Sequence, residues 1–229
     1  CALPISDRRG SGRSQQDRGH APSAQRLVQD VVECGDHLRG RLGLDSAHVV
    51  GVSWGGKPAL AYGDVYPRRV ASLTLIAPGL FPKVDLPTAQ KLRVGLSALF
   101  AGHALFDIPL QDPRLFTENP LRQEFIRQEP PTLRKVTARF LMASRGLDRS
   151  LRRARTQGPR PRLCLFLAGQ DRIIDNDATR AFVRKRYPLD GPELCRIIEY
   201  PQAHHTLEFE PDPEPFFDDL IDWLSDASS

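Results

Sequence analysis

Cysteine and methionine are scarce in this sequence, and long apolar runs are absent. The 229 residues include four cysteines that lie far apart, with no C-x-x-C pair and no histidine at a zinc-ligand spacing, so no zinc or other metal site is expected. No apolar run approaches the roughly 18 residues that a membrane-spanning helix needs. We therefore expect a chain that does not cross a membrane.

The scattered cysteines favour a reducing compartment, so a cytoplasmic location is expected. Cys164 lies within an apolar run and is expected to act as a small buried hydrophobic residue. One alternative stays open: Cys1 could be the lipidated first residue of a mature lipoprotein. Because the chain begins at Cys1 and its single methionine is Met142, we expect that a further segment preceded it.

The charge balance excludes little by itself. There are 32 Lys and Arg against 28 Asp and Glu, a net charge of +4, and the 40% apolar and 26% charged residues are ordinary for a soluble globular protein. The basic residues are not interleaved with aromatic residues that could stack on bases, so nucleic-acid binding is not expected.

Short apolar runs alternate with segments of helical periodicity, which predicts an α/β protein with a mostly parallel sheet. Strands are predicted at 48–52, 70–76, 163–168 and 194–200, with a strand remnant at 2–5. Helices are predicted after Pro22-Ser23, after the 48–52 strand through Val65, at 177–187 and from Pro213, with Asp212 as the cap of the last one.

The pattern divides the chain into three parts, 1–80, 81–159 and 160–229. The middle part contains helical stripes such as Leu92, Leu96, Leu99 and Phe100, but no convincing strand. Between Phe81 and Gly158 there are 14 Lys and Arg against 7 Asp and Glu. We expect a basic, all-helical lid between two parts of a sheet, the N-terminal part carrying the first functional residue and the C-terminal part the others.

The strongest motif is Gly51-Val52-Ser53-Trp54-Gly55, a G-x-S-x-G between a predicted buried strand and a helix. That placement puts Ser53 on a strained turn with its hydroxyl exposed, and it needs small residues at Gly51 and Gly55. The backbone N–H of Trp54, at the helix start, is expected to point at a developing oxyanion. A rival interpretation, a phosphate-binding loop through Gly56-Lys57, lacks the following Ser or Thr because position 58 is proline.

An activated serine needs a base and an orienting acid, which should follow it in the order Asp, then His, each just past a strand. Asp171 and His205 meet that order, with Asp175 and His204 as the competing candidates.

Together these residues resemble the serine-nucleophile α/β-hydrolase family, particularly its monoacylglycerol-lipase-like and lysophospholipase-like branch. Residues 7–14, Asp-Arg-Arg-Gly-Ser-Gly-Arg-Ser, look like the D-x-R-G-x-G-x-S segment that comes after the fourth strand of that fold. The Leu167–Asp175 stretch is similar to the acid loop, which maps the acid to Asp171, and Ala203-His204-His205 matches a small-x-His pattern that favours His205. The 81–159 segment occupies the position of the family's lid.

The chain departs from the family at its beginning. The first three strands, and the His-Gly-type segment that supplies a second oxyanion N–H, have no counterpart in the sequence. We therefore expect an N-terminally incomplete α/β-hydrolase fold.

The resemblance implies a cofactor-independent serine hydrolase that cleaves carboxylic esters, lipid-like ones above all, with the apolar stripes of the lid holding an acyl chain. Contact of the basic lid with a membrane surface or anionic lipid is a further expectation. Thioesterase, amidase, acyltransferase and C–C hydrolase activities use the same residues and stay open, as does a non-catalytic binding module. Nothing in the sequence fixes the oligomeric state.

Overall fold

The computed structural model describes residues 5–154, 159–187 and 194–226. The strands are β1 (Ala47–Val52), β2 (Val70–Ile76), β3 (Leu105–Asp107), β4 (Lys135–Thr137), β5 (Arg162–Ala168) and β6 (Cys195–Tyr200). The helices are α1 (Ala24–Leu42), α2 (Gly56–Val65), α3 (Thr88–Phe100), α4 (Pro120–Gln128), α5 (Ala138–Arg153), α6 (Asn176–Arg186) and α7 (Glu214–Asp226).

The described part of the central sheet has four parallel strands in the order β1-β2-β5-β6. This confirms the predicted α/β class and the four predicted strands to within a residue or two. β1 is an outer strand of these four, and its first four residues are half-buried. Of the predicted strand remnant at 2–5, residues 2–4 lie outside the described part of the chain, and Ile5 is exposed and lies outside any strand.

The inner strands are buried on both faces, as parallel strands covered by helices should be. Alternate residues of β5 serve two cores. Leu163, Leu165 and Leu167 pack with residues of α2, α5 and α6, whereas Cys164, Phe166 and Ala168 pack against α7. The predicted burial of Cys164 is confirmed, and burial raises the pKa of its thiol to about 12.

Side-chain caps begin two of the helices around the sheet, and the last helix begins at Glu214, one residue after the predicted start at Pro213. Ser23 caps α1 by accepting a hydrogen bond from the Arg26 N–H, and Gly43 ends that helix in the left-handed conformation. Asp175 caps α6 in the same way.

In the described part of the chain, no helix is both long enough and apolar enough to cross a bilayer.

The 81–159 segment is not all-helical, and that expectation was wrong. Besides α3, α4 and α5 it contains an antiparallel pair formed by β3 and β4. Each of these strands has only three residues, too few for an alternating pattern to stand out from the surrounding sequence.

Candidate functional site

The site residues predicted from the sequence meet at one edge of the central sheet. Ser53 directly follows β1, Asp171 lies three residues after β5, and His205 lies five residues after β6. Parallel strands end at the same edge, which in α/β sheets is where ligand sites form. The topology thereby brings together residues that are far apart in sequence.

The serine turn, residues 51–56, forces Ser53 into a conformation that L-residues rarely adopt. Its φ is 48°, and residues Ser53–Gly55 form a short 3₁₀ turn that leads into α2. A Cβ at Gly51 would lie only 2.7 Å from the Cβ of Ala59 and 2.8 Å from the Cα of Gly56, so Gly51 has no room for a side chain. Strained, crowded turns of this kind aim one side chain at a fixed point.

The expectation that the turn also needs a small residue at Gly55 was wrong. A Cβ there would meet no atom within 4 Å, and its φ of −61° and ψ of −20° suit any residue. Besides Gly51, the crowded position is Gly56, where a Cβ would lie 2.6 Å from the Cβ of Pro78, two residues after β2. The motif therefore located the turn correctly, but the glycine that the turn requires after Ser53 is Gly56 and not Gly55.

His205 bridges the serine and the acid. Its Nε2 lies 2.8 Å from the Ser53 Oγ, and its Nδ1 lies 2.7 Å from Oδ2 of Asp171. A carboxylate can only accept hydrogen bonds, so we assign the ring proton to Nδ1, which leaves Nε2 placed to accept from the serine hydroxyl. His205 and Asp171 are 4% and 3% exposed, which keeps bulk water away from this pair.

The structure separates both pairs of competing candidates. Oδ1 of Asp171 accepts from the N–H groups of Ile173 and Ile174 at 2.7 and 2.9 Å, which turns its other oxygen toward His205. Asp175 instead uses its carboxylate to cap α6. His204 lies against Glu210 and Glu118, at 3.3 and 3.4 Å.

The phosphate-loop interpretation does not fit the position of Lys57. The Lys57 side chain is buried, and its Nζ lies 2.7 Å from Oδ1 of Asp148 on α5. A phosphate-binding lysine must point its ammonium into the loop, whereas this one points away to a carboxylate.

Sequence reasoning missed residues that surround the site. The Phe116 ring stands edge-on to the His205 ring with centroids 5.8 Å apart, and the Phe116 carbonyl accepts from the Thr206 N–H at 2.9 Å. Lys83 donates to the Asp171 carbonyl at 2.8 Å. Both come from irregular stretches of the 81–159 segment, where no periodic pattern marks a residue that reaches the site.

Arg8 was also missed as a site neighbour. Its guanidinium lies over the Trp54 ring, 4.9 Å from the centroid, and burial together with nearby Arg18 lowers its pKa to about 10. In the sequence, Arg8 is visible only as part of the family motif at residues 7–14, and nothing there indicates that it contacts Trp54.

No group of three or more His, Cys, Asp or Glu side chains that could hold a metal ion occurs within residues 5–154, 159–187 and 194–226.

Known proteins resemble this chain in both sequence and structure. Residues 2–212 match the family model of the Hydrolase_4 family, described as serine aminopeptidase, S33. The 1-acylglycerol-3-phosphate O-acyltransferase ABHD5 of Sus scrofa is 33% identical over 134 residues, which cover 57% of this chain and 37% of that protein. This chain therefore matches only about a third of the length of that relative.

Two solved monoacylglycerol lipases share the fold. The enzyme of Paleococcus ferrophilus superimposes with a TM-score of 0.81 and 18% identity, covering 95% of this chain and 80% of that one. A soluble variant of the Saccharomyces cerevisiae monoglyceride lipase gives 0.79 and 18%, covering 96% and 76%. The chain therefore belongs to the serine aminopeptidase S33 family of α/β-hydrolases, and its fold is that of the monoacylglycerol lipases.

Proposed function

We propose that this protein is a serine hydrolase that cleaves carboxylic esters through an acyl-enzyme on Ser53. The observation that carries the proposal is the unbroken chain of contacts from the Ser53 Oγ through His205 to Asp171. In this assignment Ser53 is the nucleophile, His205 the general base and then the general acid, and Asp171 the group that orients the imidazole.

Acylation uses these contacts in order. His205 Nε2 takes the proton of the Ser53 hydroxyl while the Oγ attacks the ester carbonyl carbon. The resulting oxyanion needs hydrogen-bond donors, and the Trp54 backbone N–H at the start of the turn into α2 is one. When the intermediate collapses, the alcohol leaves with the proton that His205 held, and the acyl group stays on Ser53.

Deacylation repeats these steps with water. His205 takes a proton from water, the hydroxide oxygen attacks the acyl carbon, and Ser53 leaves as its hydroxyl with that proton. The buried carboxylate of Asp171 stabilises the imidazolium that forms in both halves of the reaction.

The proposed substrates are lipid-like esters of the monoacylglycerol or lysophospholipid type. Leu92, Leu96, Leu99 and Phe100 on α3 are between 53% and 87% exposed, an apolar stripe available to an alkyl chain or a lipid surface. The surplus of Lys and Arg in the 81–159 segment favours an anionic surface. The fold of the monoacylglycerol lipases agrees with this substrate class.

A second candidate, acyl transfer, is favoured by the Sus scrofa relative, whose name is that of a 1-acylglycerol-3-phosphate O-acyltransferase. The acyl-enzyme is the same, but the hydroxyl of an acylglycerol phosphate replaces water as the attacking group. Incubation of an acyl donor with a labelled lysophosphatidic acid separates the two functions. Hydrolysis yields free fatty acid alone, whereas transfer yields labelled phosphatidic acid.

The test of the proposal is hydrolysis of a short-chain aryl ester and of a monoacylglycerol. Ser53→Ala should lower kcat by about 10⁴-fold or more. Asp171→Asn should lower it by about 10⁴-fold, because an amide holds the imidazole in the wrong tautomer. Asp175→Asn is the matched control, since asparagine caps a helix as well as aspartate does.

The alternative is a non-catalytic binding module on this scaffold. Wild-type turnover no faster than the uncatalysed reaction, in protein with a cooperative unfolding transition, would support that alternative. Catalysed turnover that is equal in the wild type and in Ser53→Ala would overturn the role of Ser53 and with it the proposed function.

A further inference from the structure

Three residues on one face of α5, spaced four apart, contact Trp54 of the serine turn or Lys57 at the start of α2. The Phe140 ring lies 5.2 Å from the Trp54 ring, and the Ser144 Oγ accepts from the Trp54 indole N–H at 3.1 Å. One turn further along, Asp148 pairs with the Lys57 ammonium. Helical residues four apart share one face, so a single straight helix makes all three contacts.

Lys57 occupies a position that is unfavourable for a positive charge. It is the second residue of α2, where the helix dipole disfavours a positive charge, and its side chain is only 6% exposed. Asp148 supplies the compensating charge, with Nζ 2.7 Å from Oδ1 and 3.0 Å from Oδ2. A buried ammonium held this way fixes α2 to α5, because moving either helix would leave an unpaired charge.

The two anchored residues, Trp54 and Lys57, lie one and four residues after Ser53. Trp54 directly follows Ser53, whose φ of 48° requires that its surroundings hold it in place. The indole is held on one face by Arg8, at its ring by Phe140 and at its N–H by Ser144. A shift of the Trp54 backbone would therefore move both the serine and the oxyanion donor.

We infer that Phe140, Ser144 and Asp148 form a clamp, called the α5 clamp, that positions the serine turn through Trp54 and Lys57. Lys57 and Asp148 are positioning residues, because they act on the reaction through the turn and not by touching the substrate. This inference rests on the proposed function for its kinetic consequence, while its structural part can be measured without any activity.

The structural part is tested by the indole N–H resonances of ¹⁵N-labelled protein. The chain has two tryptophans, Trp54 and Trp223, and the second lies on α7, fully buried in the cluster that contains residues of β2 and β5, and serves as an internal reference. Ser144→Ala should shift the Trp54 resonance and leave that of Trp223 in place, and Ser144→Thr, which keeps the hydroxyl, should restore it. An unmoved Trp54 resonance in Ser144→Ala overturns the clamp.

The kinetic part is tested with Lys57→Met, Asp148→Leu and the double variant. Asp148→Leu leaves the buried Lys57 ammonium unpaired, and Lys57→Met leaves the half-buried Asp148 carboxylate unpaired, so each single change should lower the Tm. The double variant replaces the pair with apolar groups and should regain the Tm. Its kcat should nonetheless stay between about tenfold and a hundredfold below wild type with KM nearly unchanged, because the turn is misplaced. The matched control is the more open pair of Lys91 and Asp85, whose side chains are 31% and 52% exposed, changed in the same way.

Two outcomes separate the inference from the proposed function. A double variant with wild-type Tm and wild-type kcat makes the pair merely structural and overturns the positioning role. Equal turnover by the wild type and by Ser53→Ala overturns the proposed function instead, and the indole resonances still decide whether the clamp exists.

Discussion

Two helices of the 81–159 segment, α5 and α3, are similar in sequence pattern but differ in what they contact. α5 buries Ala138, Phe140, Ala143, Leu147 and Leu151. Leu147 and Leu151 join the core at the sheet, and Phe140 contacts Trp54 of the serine turn. α3 also has an apolar stripe, yet it buries only Val94 and exposes Leu92, Leu96, Leu99 and Phe100. The segment is therefore not one uniform lid, because one helix belongs to the framework of the site and the other presents an apolar surface.

The largest expected difference is in stability. Leu147→Ala removes a side chain that is 1% exposed and should lower the free energy of unfolding by about 2–5 kcal/mol through lost burial and the cavity left behind. Leu99→Ala, at a position that is 75% exposed, should change it by less than about 0.5 kcal/mol. Urea unfolding of both variants measures the difference, and equal losses would contradict the division between the two helices.

A similar contrast between packed and open positions occurs within the serine turn. Gly56→Ala would place a methyl 2.6 Å from Pro78 and should cost about 1–3 kcal/mol of stability. Gly55→Ala enters open space in a helical conformation and should stabilise by about 0.4–1 kcal/mol. Thermal unfolding checks both values, and a Gly55→Ala variant as unstable as Gly56→Ala would show that the turn is crowded on both sides.

The smallest effect concerns pH and the junction between the two helices. His20 stacks on His103, which lies just beyond α3, and its Nδ1 lies 3.1 Å from the Thr137 hydroxyl that caps α5. Burial, followed by the positive charges of His103, Arg139 and Arg9, lowers the pKa of His20, against a weaker opposing effect of Asp17.

Because the pKa of His20 is lower in the folded state, the unfolded chain binds more protons once the pH falls below about 6.5, and stability declines as the pH drops further. His20→Gln should make the fall of Tm between pH 7.5 and pH 5.5 shallower. His37→Gln, at an exposed position of α1, is the matched control and should leave that dependence unchanged. Identical slopes in all three proteins would show that His20 does not contribute to the pH dependence.

The sequence predicted that Ser53, Asp171 and His205 lie close together, but it did not predict what surrounds them. Ser53, Asp171 and His205 each come after a buried strand, and the loops beyond parallel strands gather at one edge of the sheet. Lys57 was visible in the sequence, but its partner Asp148 lies 91 residues away on another helix, and no local pattern joins them. Phe140, Ser144 and Asp148 are spaced four residues apart, so the sequence alone places them on one helix face. It does not show that this face contacts Trp54 and Lys57.

For α3, the sequence predicted the helix but not the surroundings of its apolar face. Its helical period was correct, but periodicity says only that apolar residues share a face, and it does not say what covers that face. The two short strands β3 and β4 were not predicted. They pair with each other although α4 and its flanking loops separate them in the sequence, so no local pattern indicates the pairing.

The central claim is that Ser53 is an activated nucleophile, and reaction with a fluorophosphonate probe tests it most directly. The wild-type protein should be labelled at Ser53, as located by peptide mass spectrometry, while Ser53→Ala should remain unlabelled and Asp175→Asn should label like the wild type. Absence of labelling in wild-type protein with a cooperative unfolding transition, or labelling that persists in Ser53→Ala, would contradict the claim.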